Sequence, residues 1–270
     1  MKNNLIDQAT HLQEIKQGDC VIVFDGYSGL GYDNPEAVKA QMRFDIEQAA
    51  KEALGQTPPT TVWVVAGATA DGIGMCYDVA SEIRSQTGAD IKNVGIVSEQ
   101  ALKVESWGQA LPPEQSAKLD RLIVAADPSG TWQVVGVDGL SMMVNEAFSA
   151  AAHGAHARII FLGGGAVAKS ELDEIATRMP KETPIQVEIH HGGGVDAPNT
   201  DKAMKKATAL LGKGKAAGQI NDELDGTRDY QEGLQSGSLM PLSIAALQAK
   251  LANRTSTGPA PSSTTPLKPT

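Results

Sequence analysis

Aromatic side chains are scarce in this chain. Phe, Trp and Tyr make up 4% of its 270 residues, so any core must be largely aliphatic. Cysteine is scarcer still: Cys20 and Cys76 are the only two. One disulfide is allowed, but both fall in or beside apolar segments, which favours two buried thiols in a reducing compartment. Basic charge is in deficit, with a net charge of -9. Nothing is left over to replace the counterions of a phosphate backbone, which argues against nucleic acid as a partner. No apolar run approaches the length of a membrane span, and Met1–Asp7 lacks the apolar stretch of a secretory signal. The expectation is a cytoplasmic protein that does not engage a membrane.

Several catalytic signatures are missing too. The dinucleotide fingerprint G-x-G-x-x-G is absent from the first strand turn, where Gly26, Gly29 and Gly31 come in the wrong order. That excludes the usual nicotinamide dehydrogenase pattern. Gly26-Tyr27-Ser28-Gly29-Leu30 lacks the last glycine of a nucleophile elbow. Gly163 to Ser170 approaches the P-loop G-x-x-x-x-G-K-[ST], but Ala168 stands where the second glycine belongs. Forcing a non-glycine residue to positive φ there costs on the order of 1 kcal/mol or more.

What is present is a repeated unit of apolar strand, glycine turn and helix. Hydrophobic residues make up 41% of the chain, enough for one large domain with a core. Residues 5–17 carry apolar positions at helical spacing and are read as one amphipathic helix. Val21–Phe24 is a buried strand that ends in the loop from Asp25 to Tyr32. Asn34-Pro35 starts a helix reaching about Leu54, with Asn34 as its cap. Thr61–Ala66 is the second strand, and Gly67 to Gly74 opens a helix over 75–85. Val94–Val97 is the third. Residues 104–120 read as loop. Leu122–Ala126 and Gln133–Val137 are strand candidates on either side of a turn at Asp127–Gly130. A helix over 141–153 precedes the strand Ala157–Leu162, the turn Gly163–Gly165 and a helix over 166–176. Ile185–His190 is the last strand.

The domain is expected to run over residues 1–212, with a helix at 200–211. A polar segment at 213–254 holds a short helix at 241–251. A Ser/Thr/Pro tail at 255–270 is expected to be disordered. The pattern is that of an α/β Rossmann-like fold: a largely parallel sheet with helices on both faces. Ligands of such sheets bind beyond the carboxyl ends of the strands, where all these glycine turns fall.

The candidate ligand-binding residues follow from that placement. In the late turn they are Gly163, Gly164 and Gly165, followed by Lys169 and Ser170. A helix opening after three glycines points unpaired N–H groups at the loop and suits an anion. In the second turn they are Gly67, Thr69, Gly72 and Gly74, although the glycines equally permit close helix–sheet packing. Metal readings are weak, and no metal or cofactor is expected. His153-x-x-His156 falls at a helix end. Glu188 and His190 share one face of a strand, but His190 and His191 point to opposite faces.

These turns carry a family resemblance. Gly67-Ala68-Thr69-Ala70-Asp71-Gly72-Ile73-Gly74, with the strand Val94–Val97 after it, resembles the G-G-x-x-G-[LI]-M-G segment of the SLOG superfamily. Gly163 to Glu171 is similar to its P-G-G-x-G-T-x-x-E, and Val23 to Ser28 to its first-strand F-x-G-S loop. The superfamily includes the LOG phosphoribohydrolases and DprA-like and TRPM-type nucleotide-sensing domains. The resemblance adds Gly26, Ser28 and Asp71 to the ligand-binding set and implies Glu171 as a catalytic acid. It also implies a homodimer. Gly163 replaces the family's proline and Val167-Ala168 its Gly-Thr, and Ser141–Phe148 lacks the arginine that LOG enzymes carry on the preceding helix. Two functions are therefore expected: a binder or sensor of a small nucleotide-like ligand, or an N-glycoside hydrolase acting on a nucleoside 5′-monophosphate. Glu171 as an ordinary first-turn acid, in a domain with no small ligand, is the bland alternative.

Overall fold

Val21, Ile22, Val23 and Phe24 are all fully buried. A strand with no exposed face must be covered on both sides, as in helix-layered parallel sheets. The computed structural model describes residues 5–28, 32, 34–69, 72–103, 118–131, 134–179, 181–190 and 227. Its strands are β1 (Cys20–Gly26), β2 (Val62–Gly67), β3 (Ile91–Ser98), β4 (Arg121–Ala125), β5 (His156–Leu162) and β6 (Gln186–Ile189). They form one sheet of six strands in the order β4-β3-β2-β1-β5-β6. Every neighbouring pair is parallel. The chain moves outward from β1 to β4, then returns to place β5 on the other side of β1. The boundary between β1 and β5 is therefore the topological switch point.

Two apolar layers flank the sheet. Cys20, Ile22 and Phe24 face α2 (Pro35–Gly55) and α3 (Cys76–Thr87). Val21 and Val23 face α4 (Met142–Ala152) and α5 (Ala166–Arg178), with the short α1 (Gln8–Leu12) beside them. Helix α2 starts as its sequence dictates, with Pro35 in the first turn and Asn34 Oδ1 accepting from Ala37 N at 3.2 Å. Its inward stripe of Val38, Met42, Ile46, Ala49 and Ala53 recurs every three or four residues and is fully or almost fully buried. Each of the larger side chains contributes about 1.5–3 kcal/mol by leaving water. Helix α3 stops at Gly88, whose φ of 73° supplies the left-handed cap. Cys20 and Cys76 are free and buried. No helix among the described residues is long and apolar enough to cross a membrane.

Some elements differ from the sequence expectation. The helix expected over 5–17 is only Gln8–Leu12. Asp7 caps it through Thr10 N, while Leu5 bridges to Leu122 and Ile6 N bonds Leu122 O at 3.0 Å, so the preceding residues are held extended along the edge of β4. No strand forms over the described part of 133–137. Val135 makes one isolated antiparallel bridge to Ser141, and Met142 N binds Val134 O at 2.9 Å. The helix expected from 75 begins as a tight 3-10 turn over Gly72–Met75 before α3. The expected loop at 104–117, the helices at 200–211 and 241–251, the tail, and Asp71 lie outside the described residues.

Candidate functional site

At the switch point Gly26 of β1 sits beside Leu162 of β5. From there the chain leaves toward α2 on one face and α5 on the other. Strand alternation puts Asp25 on the α4–α5 face, in line with Val21 and Val23. Glu171 comes to the same spot from α5. It is only 4% exposed, and it lies in the second turn of a helix that begins at Ala166, so the first-turn reading of this acid does not hold.

The two carboxyl groups lie close enough to perturb each other's titration. Two adjoining carboxyls out of water favour keeping one proton between them. Asp25 Oδ1 accepts from Gly26 N at 2.6 Å, and Glu171 Oε1 accepts from Ser141 Oγ at 2.5 Å. Asp25 Oδ2 and Glu171 Oε2 are sealed from solvent, with no described N–H or hydroxyl donor for either. Burial, then the neighbouring Asp25 charge, holds Glu171 well above the ordinary carboxylate range. Burial likewise raises Asp25. Behind the pair, Glu174 accepts from Ser141 N at 2.8 Å and from Arg178 Nη1 at 3.0 Å. Arg178 also stacks over Phe148, 4.4 Å from its centroid, so this arginine is engaged one layer back from the dyad.

The glycine turns around the dyad have distinct roles. Gly163 and Gly164 have φ of 71° and 130°. A Cβ on Gly164 would also collide with the Cβ of Ala168, so Ala168 packs where a P-loop would have its second glycine. Gly165 precedes α5, whose N-terminus has no side-chain cap. Lys169 is half-buried and Ser170 exposed on the first turns of that helix. In the loop after β1, Ser28 is exposed. Gly26 lies close to Tyr32, and a Cβ there would strike the tyrosine hydroxyl, which donates to Leu162 O at 2.8 Å and accepts from Tyr27 N at 3.2 Å. Tyr32 therefore fills the α2 side of the junction.

The second turn is occupied by protein. Gly72 (φ 65°) is pressed against the Tyr27 carbonyl, and Ile73 N donates to that carbonyl at 2.8 Å. Gly74 is pressed against Thr69 O. Both glycines are accounted for by close chain packing, with Gly67 and Thr69 half-buried above them. The late turn thus carries the helix end without a side-chain cap, and the second turn braces the first. Asp25, Ser141 and Tyr32 were missed by sequence reasoning. The available signal for Asp25 was an acid ending an otherwise apolar strand, on a defined face.

Two sizeable cavities, of about 660 and 580 Å³, are lined by neither Asp25 nor Glu171. No protein-family model and no curated protein matches the chain. Among solved structures, 2,3-dimethylmalate lyase, a PEP mutase/isocitrate lyase superfamily member, is 14% identical over 94% of this chain and 99% of that one. Its TM-score of 0.19 is too low to support any statement about fold or activity.

Proposed function

We propose that the protein binds a small nucleotide-derived ligand at the switch point, with an anionic group over the N-terminus of α5. The observation that carries this reading is the uncapped start of α5 after Gly163–Gly165, just beyond the carboxyl ends of β1 and β5. Helix amides and the helix dipole favour an anion at that position. Lys169 and Ser170 are within the first turns of the helix, and Ser28 is in the loop after β1. The resemblance to SLOG nucleotide-sensing domains supports the same ligand class.

A second reading, phosphoribohydrolase activity like that of the LOG enzymes, is favoured by one observation. The Asp25–Glu171 pair holds a proton that a general acid could deliver to a leaving base. Against it stands the burial of Glu171, since a general acid must reach the atom it protonates. Binding is therefore the primary reading. Thermal-shift titration with nucleoside monophosphates and ADP-ribose tests it, with products followed by chromatography. Binding is expected to raise Tm as RT ln(1 + [L]/Kd), and Lys169→Ala to weaken it about tenfold. Silence across the panel would overturn the proposal. Release of free base that stops in Glu171→Gln would establish the hydrolase instead.

A further inference from the structure

The sheet face covered by α2 carries a second group of ionisable side chains. Alternation along β5 and β6 puts Arg158, Gln186 and Glu188 on this face, and His190 follows directly after β6. Asp45, on α2 and 2% exposed, closes over them. One ligand atom from each of Asp45, Glu188 and His190 lies within 4.8 Å of the other two.

We propose that Asp45, Glu188 and His190 form a binding site for a divalent transition-metal ion of the zinc or manganese type. One imidazole with two carboxylates is a donor set that these ions accept. Glu188 Oε2 and His190 Nε2 are 3.4 Å apart. That is longer than a charge-assisted hydrogen bond, about 2.7–2.9 Å. It is the spacing of two ligands each about 2.1 Å from one tetrahedral ion.

Outer partners hold the two acids in place. Gln41 Nε2 donates to Asp45 Oδ2 at 3.0 Å, and Gln186 Nε2 donates to Glu188 Oε1 at 2.8 Å. Each carboxylate thus keeps its second oxygen for an ion, the usual division between ligating and orienting contacts.

The surroundings point to a ligand as well. Asp45, Glu188 and Arg158 line a cavity of about 580 Å³, which leaves room for open coordination positions. Arg158 Nε is buried and has no acceptor. An oxygen of water or of a small acid completing the ion's coordination would satisfy it. Two carboxylates cancel the charge of a divalent ion, so Arg158 faces a neutral centre and is not repelled by a bare cation. Cys20 also lines the cavity, but its thiol is not among the donor atoms that converge within 4.8 Å. The group lies on the opposite sheet face from Asp25 and Glu171, so the proposal is independent of the switch-point ligand.

The test is equilibrium dialysis of the full chain, first stripped by a chelator, against Zn²⁺ alone, with bound metal measured by elemental analysis. One ion per chain at micromolar or tighter Kd is expected. His190→Ala and Glu188→Gln should each weaken uptake at least tenfold. Gln41→Ala, which removes only an orienting contact, should weaken it about tenfold. Co²⁺ should give visible ligand-field bands that His190→Ala abolishes. Circular dichroism confirms that each variant is folded, and Glu188→Gln carries the test if His190→Ala is not. No uptake by the native chain would overturn the proposal and leave the group as an ion-pair network. Uptake unchanged in both His190→Ala and Glu188→Gln would also overturn it, since the ion would then sit elsewhere.

Discussion

Two groups of carboxyls occupy opposite faces of one sheet, and they solve the same problem differently. On the α4–α5 face no cation among the described residues pairs with Asp25 or Glu171. They share a proton, and burial raises both above the ordinary carboxylate range. On the α2 face Glu188 is held below its ordinary value, first by the adjacent His190, against a smaller opposing effect of burial. Asp45 shows the balance within one group: burial and the neighbouring Glu188 hold it above its ordinary value, while Gln41, His190 and Arg158 pull it only part of the way back. The comparison teaches that burial alone does not set the state of an acid. Where no counter-charge is in reach, a proton takes its place.

The largest expected effect comes from removing the arginine that the α2 face has and the α4–α5 dyad lacks among the described residues. Arg158 donates from Nη2 to Asp45 O at 2.7 Å and lies beside both acids. Arg158→Met should cost about 2–3 kcal/mol in urea unfolding at pH 7, less than a fully buried pair because Arg158 is half-buried. Glu188 should then titrate higher by NMR, moving toward the behaviour of Glu171. A loss below about 0.5 kcal/mol would show that the cation is not what separates the faces.

A middle-sized effect is expected from Ser141→Ala. This serine caps α4 through Met143 N and Val144 N and donates to Glu171. Losing both roles should cost about 1–2 kcal/mol. The cost should grow at alkaline pH, because the hydroxyl favours the ionised form of Glu171.

The smallest effect sharpens the contrast through pH. Asp25 and Glu171 have folded pKa values above their unfolded ones, about 3.9 and 4.3. Their contribution to stability is complete below those values and is lost as pH rises through the folded ones. Glu188 has the opposite sign: its contribution is complete above about 4.3 and is lost as pH falls through its depressed folded value. Asp25→Asn removes one of the two ionisable groups of the dyad. It should raise Tm by about 2–4 °C at pH 8, roughly 1 kcal/mol for a domain of this size, and leave the acid limb unchanged. An unaltered alkaline limb in a Tm–pH profile would place the shared proton elsewhere.

Much of the fold was legible because apolar runs and glycine turns are local signals. Val21–Phe24, Ala157–Leu162 and the Asn34-Pro35 start each carry their own pattern, and the structure has them where that pattern puts them. The N-terminal helix was over-read because Leu5 and Ile6 look helical by spacing, yet the free edge of β4 offers them backbone partners. Gln133–Val137 failed as a strand for the converse reason: Val134, Val135 and Val137 have β-branched side chains, but the described residues make one isolated bridge and have no place in the sheet. At the candidate site, Glu171 and the late turn could be read from motif order. Its partner could not, because only sheet order brings Asp25 to α5.

By itself, the sequence determined the periodicities: which runs are strands, where turns need glycine, and which helix starts are capped. These depend on a few neighbouring residues and on backbone sterics. The tertiary structure alone decided which acids meet a cation and which meet each other. That choice depends on strand order and on helices packing from opposite faces, and the energy of a buried charge is set by groups distant in the chain. Glu171 and Glu188 are the same residue type in the same chain. Their difference lies in what the fold puts beside them.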